Sequence, residues 1–181
     1  MKSAVFIERD GVLNEVRVER QQPVSPLTLG DFHVNQAAVP LLQKLKAAGL
    51  RLIATTNQPG LSRGYQSRRE LDRIHELLRA TFALDDILVC PHDAADHCTC
   101  RSPKPGLLVE AGFKWRLNLD HCFVISDKWQ DAEAARTAGA TSLLLQSSSN
   151  GKARSDLVLP DLAAAVDKLL RLRAAKPVLA A

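Results

Sequence analysis

The chain has 181 residues, 46% apolar and 24% charged, with 24 Lys and Arg against 20 Asp and Glu, a net charge of +4. That length suits one domain over residues 1–181 with a sizeable core. The charge is too mild, and an aromatic content of 4% too low, for a nucleic-acid-binding face, and no run is long and apolar enough to span a bilayer.

The first apolar run, Ala4 to Ile7, predicts a strand. It is interrupted by Glu8-Arg9-Asp10 too soon for a secretory leader, so a cytoplasmic location is expected, where thiols stay reduced. Glu15 to Asp31, rich in Pro and Gln, is expected to form a flap. Ala37 to Ala48 has helical periodicity through Val39, Leu42 and Leu45, with Gly49 as its stop. Leu50 to Thr55 is the second strand. Ser67 should cap a helix running to Phe82, with Glu70 completing a capping box. Ile87 to Val89 is a strand, Gly106 to Trp115 a helix, and His121 to Ile125 a strand in which Cys122 is buried. Trp129 to Ala138 is a helix ended by Gly139, and Thr141 to Leu145 a strand. Residues 147–151 read as a loop. Asp161 should cap a last helix to about Arg173, with a tail from about residue 174 that frays.

Strands alternating with helices predict an α/β fold, a Rossmann-like parallel sheet with helices on both faces. In such sheets ligands bind beyond the carboxyl ends of the strands. Glu8-Arg9-Asp10-Gly11 follows the first strand and Thr56-Asn57-Gln58 the second. A Cys/His loop leading to Lys104 follows the third, and Ser126-Asp127-Lys128, with Asp131 beyond, the fourth. The carboxylates of Glu8, Asp10, Asp127 and Asp131 are hard oxygen ligands suited to Mg²⁺. A hydroxyl, an amide and a lysine (Thr56, Asn57, Lys104 or Lys128) could surround a phosphoryl group and neutralise its charge. A carboxylate could attack phosphorus and form an acyl phosphate that water cleaves. The alternative is an acidic rim of N-cap aspartates without chemistry.

Cys90, His92, Cys98 and Cys100 fall within one short polar loop, residues 90–100. Thiolates and an imidazole at such spacings suit a closed, structural zinc site; a disulfide is the competing reading. His97 could rival His92 as the fourth ligand. His33, His75 and His121 are expected at the surface or as satisfied core residues, and Trp115 and Trp129 as packing residues. Arg63 and Tyr65 could contact substrate or cap a helix.

Phe6-Ile7-Glu8-Arg9-Asp10-Gly11-Val12-Leu13-Asn14, Thr55-Thr56-Asn57-Gln58-Pro59-Gly60, Cys90-Pro91-His92 through Gly106, and Ser126-Asp127-Lys128 with Asp131 together resemble the haloacid dehalogenase (HAD) superfamily. The resemblance is to its branch of heptose 1,7-bisphosphate and histidinol phosphatases, and it spans residues 4 to about 146. It implies a HAD core without a large cap domain and a zinc-stabilised loop. It implies Mg²⁺-dependent hydrolysis of a small phosphomonoester, D-glycero-D-manno-heptose 1,7-bisphosphate first, histidinol phosphate second. A monomer is the implied state. By the same resemblance Glu8 stands at the nucleophile position, Asp10 at the general acid/base, and Thr56 with Asn57 at the phosphate. Arg101 stands beside the substrate and Asp127 at Mg²⁺, together with Glu8 and the Asp10 carbonyl, while Cys90, His92, Cys98 and Cys100 stand at zinc.

Two positions depart from the family pattern. The nucleophile position carries Glu8 instead of Asp, moving the carboxylate by over 1 Å, a displacement that can cost about 10²-fold in rate. The expected Arg-Lys-Pro reads Arg101-Ser102-Pro103, leaving Lys104 to supply the charge from two residues on. A catalytically impaired relative that binds a phosphorylated ligand or a protein partner is the alternative these departures raise.

Overall fold

The computed structural model describes residues 3–19, 22–147 and 154–175. Their centre is a six-stranded, wholly parallel sheet of β1 (Ala4–Glu8), β4 (Arg51–Asn57), β5 (Asp86–Cys90), β6 (Phe123–Ser126), β7 (Thr141–Leu145) and β8 (Leu157–Leu159), in the order β5-β4-β1-β6-β7-β8. A separate antiparallel pair, β2 (Arg17–Glu19) and β3 (Gln22–Val24), forms within the expected flap. The helices are α1 (Ala38–Ala47), α2 (Arg68–Phe82), α3 (Gly106–Trp115), α4 (Trp129–Ala138) and α5 (Leu162–Ala175).

Strand periodicity divides the core. Val5, Ile7, Leu52, Ala54, Phe123 and Ile125 pack with α1, α2 and α5 on one face of the sheet. Ala4, Phe6, Ile53 and Val124 pack with α3 and α4 on the other. Side chains two apart share a face, so Glu8 belongs with Ala4 and Phe6 on the α3/α4 side. The central strands are buried on both faces, which is why they read as continuous apolar runs.

The chain leaves β1 for β4 and β5 on one side, then returns to β6, β7 and β8 on the other. The strand order therefore reverses at β1, and a crevice opens at the carboxyl ends of β1, β4 and β6. The turn after β1 is closed by backbone bonds from Leu13 and Asn14 to the Arg9 carbonyl and from Gly11 to the Asn14 carbonyl.

Several local expectations need correction. Ser67 does cap α2, its Oγ accepting from Glu70 N at 3.2 Å, but the capping box is not closed. The Glu70 carboxylate instead accepts from Leu29 N at 3.0 Å and pairs with Arg73, because the flap brings a competing donor to it. Thr56 and Asn57 lie inside β4 rather than beyond it. Cys122 is buried one residue ahead of β6, where its thiol faces the Ala4 N–H and the Asn118 carbonyl. β8, only three residues long, follows no periodic signal. Asp161 caps α5 as expected, accepting from Ala164 N at 2.8 Å, and Ala174 and Ala175 are helical. Residues 148–151 of the expected loop and 176–181 of the expected tail lie outside the described residues.

Candidate active site and metal loop

Glu8 ends β1, buried with 4% exposure. Its Oε1 lies 3.0 Å from Lys128 Nζ. Burial is the main influence on its carboxyl and pushes the pKa up to about 8 against the pull of Lys128. Lys128 opens α4, and its ammonium also donates to the Asp10 main-chain carbonyl at 2.5 Å and faces Asp127 Oδ1 at 3.4 Å. Burial disfavours the ammonium, but Glu8 and then Asp127 more than compensate, so its pKa is raised.

Asp10 is oriented differently. Both of its side-chain oxygens are engaged, by Arg9 Nε at 2.8 Å and Arg9 Nη2 at 3.1 Å, Ser25 Oγ at 2.6 Å and Gln58 Nε2 at 2.9 Å. Burial opposes its ionisation, but the Arg9 guanidinium holds the carboxyl below its usual value. Arg9 is itself fully buried, with Phe32 beneath its guanidinium at 5.7 Å. Gln58 also donates to Thr56 Oγ1 at 2.7 Å, so one amide ties the acid/base candidate to the phosphate-binding candidate. The sequence pattern does not assign Arg9, Ser25 or Gln58 to the site. Arg9 lies between two carboxylates and Gln58 follows Asn57 at a strand end, which is the only signal the sequence offers for them.

Asn57 lies on the Glu8 side of the sheet and donates to Ser102 Oγ at 2.7 Å. Glu8, Asn57, Ser102, Leu107, Val124 and Asp131 line a cleft. Lys104 lines the same cleft, and its Nζ donates to the His97 and Cys98 carbonyls at 2.8 and 2.7 Å.

Arg63 is paired with Asp93 of the Cys/His loop. Arg101 Nη1 donates to the His92 carbonyl at 3.2 Å and lies in a shallow depression with Ser102 and Lys104. Asp131 lines the cleft with Glu8. Its Oδ2 accepts from Ser126 Oγ at 2.6 Å, locking the β6–α4 turn. Trp129 is 44% exposed and Tyr65 70%, so neither is a packing residue; Trp115 is one, stacked under Arg51 and donating to Asp86 at 2.8 Å. His33 and His121 are exposed. His75 is buried at 4% exposure with Nε2 unpartnered, so it is not the satisfied core residue expected.

The donor set at the rim fits Mg²⁺. Glu8, the Asp10 carbonyl and Asp127 converge on one point, and they are hard oxygens. Asp127 Oδ1 is buried without a hydrogen-bond donor. Gly11 is required here: its φ is +95°, and a Cβ would lie 2.5 Å from Asp127 Oδ2.

In the Cys/His loop, the donor atoms of Cys90, His92, Cys98 and Cys100 lie within 4.8 Å of one another, the one such cluster among the described residues. The sulfur–sulfur distances are 3.3 to 3.6 Å. A tetrahedral zinc with bonds of about 2.3 Å has ligand edges of about 3.8 Å, so a small expansion accommodates it. His92 Nδ1 lies 3.2 Å from Cys100 Sγ, whereas His97 faces outward with φ +48° and is outside the cluster. All four cysteines are free, so the disulfide reading fails.

Comparison with known proteins agrees with this geometry. A HAD-hydrolase-like family model matches residues 99–169. A D-glycero-β-D-manno-heptose-1,7-bisphosphate 7-phosphatase of Helicobacter pylori is 32% identical over 148 residues, 78% of this chain and 82% of that protein. The protein of the same name from Pseudomonas aeruginosa is 30% identical over 181 residues, 94% of this chain and 99% of its own length. The crystal structure of D,D-heptose 1,7-bisphosphate phosphatase from B. bronchiseptica, complexed with magnesium and phosphate, superposes with a TM-score of 0.82 at 27% identity. It covers 95% of this chain and 99% of that one.

Proposed function

Because the chain belongs to the heptose-bisphosphate phosphatase family of HAD-like hydrolases, we propose that it hydrolyses a phosphomonoester at the β1/β4/β6 rim. The substrate proposed is D-glycero-β-D-manno-heptose 1,7-bisphosphate, acted on by a single-domain, monomeric, cytoplasmic enzyme. The observation that carries this reading is the convergence of Glu8, the Asp10 carbonyl, Asp127 and Lys128 within hydrogen-bond or ion-pair distance, from two stretches of chain far apart in sequence, residues 8–10 and 127–128.

Mg²⁺, held by Glu8, the Asp10 carbonyl and Asp127, would neutralise charge on the phosphoryl oxygens. The Glu8 carboxylate attacks phosphorus as the sugar oxygen leaves with a proton from Asp10. Water then cleaves the acyl phosphate, giving its proton to Asp10 and releasing phosphate. The structure's Asp10, held ionised by Arg9, suits the second half of this cycle. For the first half it must take up a proton and turn from Ser25 and Gln58 toward the leaving oxygen. Asn57 and the Thr56 hydroxyl are the candidate phosphoryl donors, Arg101 a peripheral substrate contact. Zn²⁺ held by Cys90, His92, Cys98 and Cys100 would stiffen the loop that carries Ser102 into the cleft.

A second reading rests on one observation: Ser102, with Asn57 bonded to it, fills the place where the family supplies a cation. It makes the chain a binder of phosphorylated ligands with little turnover.

The test is phosphate release from the heptose bisphosphate, with histidinol phosphate as comparator, for the native chain and Glu8→Asp in Mg²⁺. The expected result is release by both, with Glu8→Asp about 10²-fold faster. Release by Glu8→Asp alone selects the second reading, and release by neither refutes the substrate assignment.

A further inference from the structure

Lys128 reaches into the rim from the start of α4. Its ammonium is 3.0 Å from Glu8 Oε1, 2.5 Å from the Asp10 carbonyl oxygen and 3.4 Å from Asp127 Oδ1. These are the three oxygens that make up the candidate divalent site. We infer that the Lys128 ammonium is the resident cation of this rim, and that a divalent ion must displace it to bind.

Three features support this. The three oxygens come from the end of β1, the turn after it and the β6–α4 turn, so they form one fixed cage. An ammonium at its centre and a divalent ion cannot share it, because like charges a few ångström apart in a partly buried site repel strongly. Asp10's carboxylate is paired with Arg9, which leaves Lys128 as the cation facing Glu8 and Asp127. Finally, the Lys128 side chain is 26% exposed, and lysine carries its charge on a flexible four-carbon stem. It is therefore free to swing out of the cage into solvent, where it would face an incoming phosphoryl group instead of the carboxylates.

The consequence is an exchange of cations. Without a divalent ion, Lys128 holds the rim together. With one, Lys128 moves to the mouth and adds the positive charge that Ser102 does not provide. This rests on the reading that the rim takes a divalent ion, but its test does not depend on turnover.

The experiment is Mn²⁺ binding, followed by the electron paramagnetic resonance of free Mn²⁺, on zinc-loaded protein. Native chain, Lys128→Met, Lys128→Gln and Asp127→Asn are compared. The expected result is at least tenfold tighter binding by both Lys128 variants and loss of binding in Asp127→Asn. Equal or weaker binding by the Lys128 variants overturns the competition while leaving the phosphatase reading intact. Binding that survives Asp127→Asn, or no binding by any chain, overturns it too. A measurement on the native chain covers the case in which the variants do not fold. The ¹⁵N-lysine ammonium signal of Lys128 should move on addition of diamagnetic Mg²⁺, and a signal that stays in place overturns the exchange. Absence of phosphate release, by contrast, would refute the proposed reaction and leave this exchange standing.

Discussion

His75 offers a sharp test of how the interior beside the site is held. It lies on α2 with 4% exposure, and its Nε2 has no partner. Burial, then the positive charges of Arg9, Arg79 and Arg68, lower its pKa from 6.5 to about 3. The folded protein therefore keeps His75 neutral, while the unfolded chain binds a proton below 6.5. Stability from this residue is complete above pH 6.5 and is lost as pH falls from 6.5 toward 3. Two pH units below 6.5 the loss is about 3 kcal/mol, at about 1.4 kcal/mol per unit. The assay is urea unfolding at pH 7.0 and 4.5 for the native chain and His75→Gln. The native chain should lose about 3 kcal/mol more than the variant between the two pH values. The Cys/His cluster and the carboxylates titrate in both chains, so the difference isolates His75. Equal losses in the two chains would refute the claim that a neutral, desolvated imidazole is built into the folded state.

Two further outcomes follow from the site. Ser102→Lys should place an ammonium in the cleft beside Glu8 and raise the affinity for inorganic phosphate about tenfold, roughly the value of one charge-assisted hydrogen bond; isothermal calorimetry reads this, and unchanged affinity refutes the assignment of that position to the phosphoryl group. Stripping zinc with a chelator should lower Tm by about 10 °C, corresponding to a few kcal/mol in a domain of this size. Differential scanning calorimetry reads the fall and its reversal by added Zn²⁺, and a Tm indifferent to both refutes a structural ion.

The parallel sheet was legible because local signals agreed. The runs at 4–7, 50–55 and 141–145 are short and apolar, the helices between them carry helical periodicity, and Ser67 and Asp161 are strong caps. Such patterns reflect burial and backbone chemistry that act over a few residues. The rim was legible for the same reason: in a parallel sheet every strand end falls on one side, so Glu8, Asp10, Asn57, Asp127 and Lys128 had to approach one another. The Cys/His cluster was legible because residue type and short spacing together leave few other uses.

What each side chain does on that rim was decided only by tertiary contacts. Nothing local says that Glu70 bonds Leu29 rather than closing its own cap, that Ser25 from the flap reaches Asp10, or that Gln58 joins Asp10 to Thr56. Lys104 could extend either way from its loop, and the free carbonyls of His97 and Cys98 decide the direction. The position of Lys128 among Glu8, the Asp10 carbonyl and Asp127 joins residues up to 120 apart in sequence. A long, charged side chain has many rotamers of similar energy, and only the surrounding charges select one. Sequence therefore determined which groups share the rim, because strand ends fix backbone positions. The fold determined which of them pair, because pairing depends on directions and distances that only packed neighbours set.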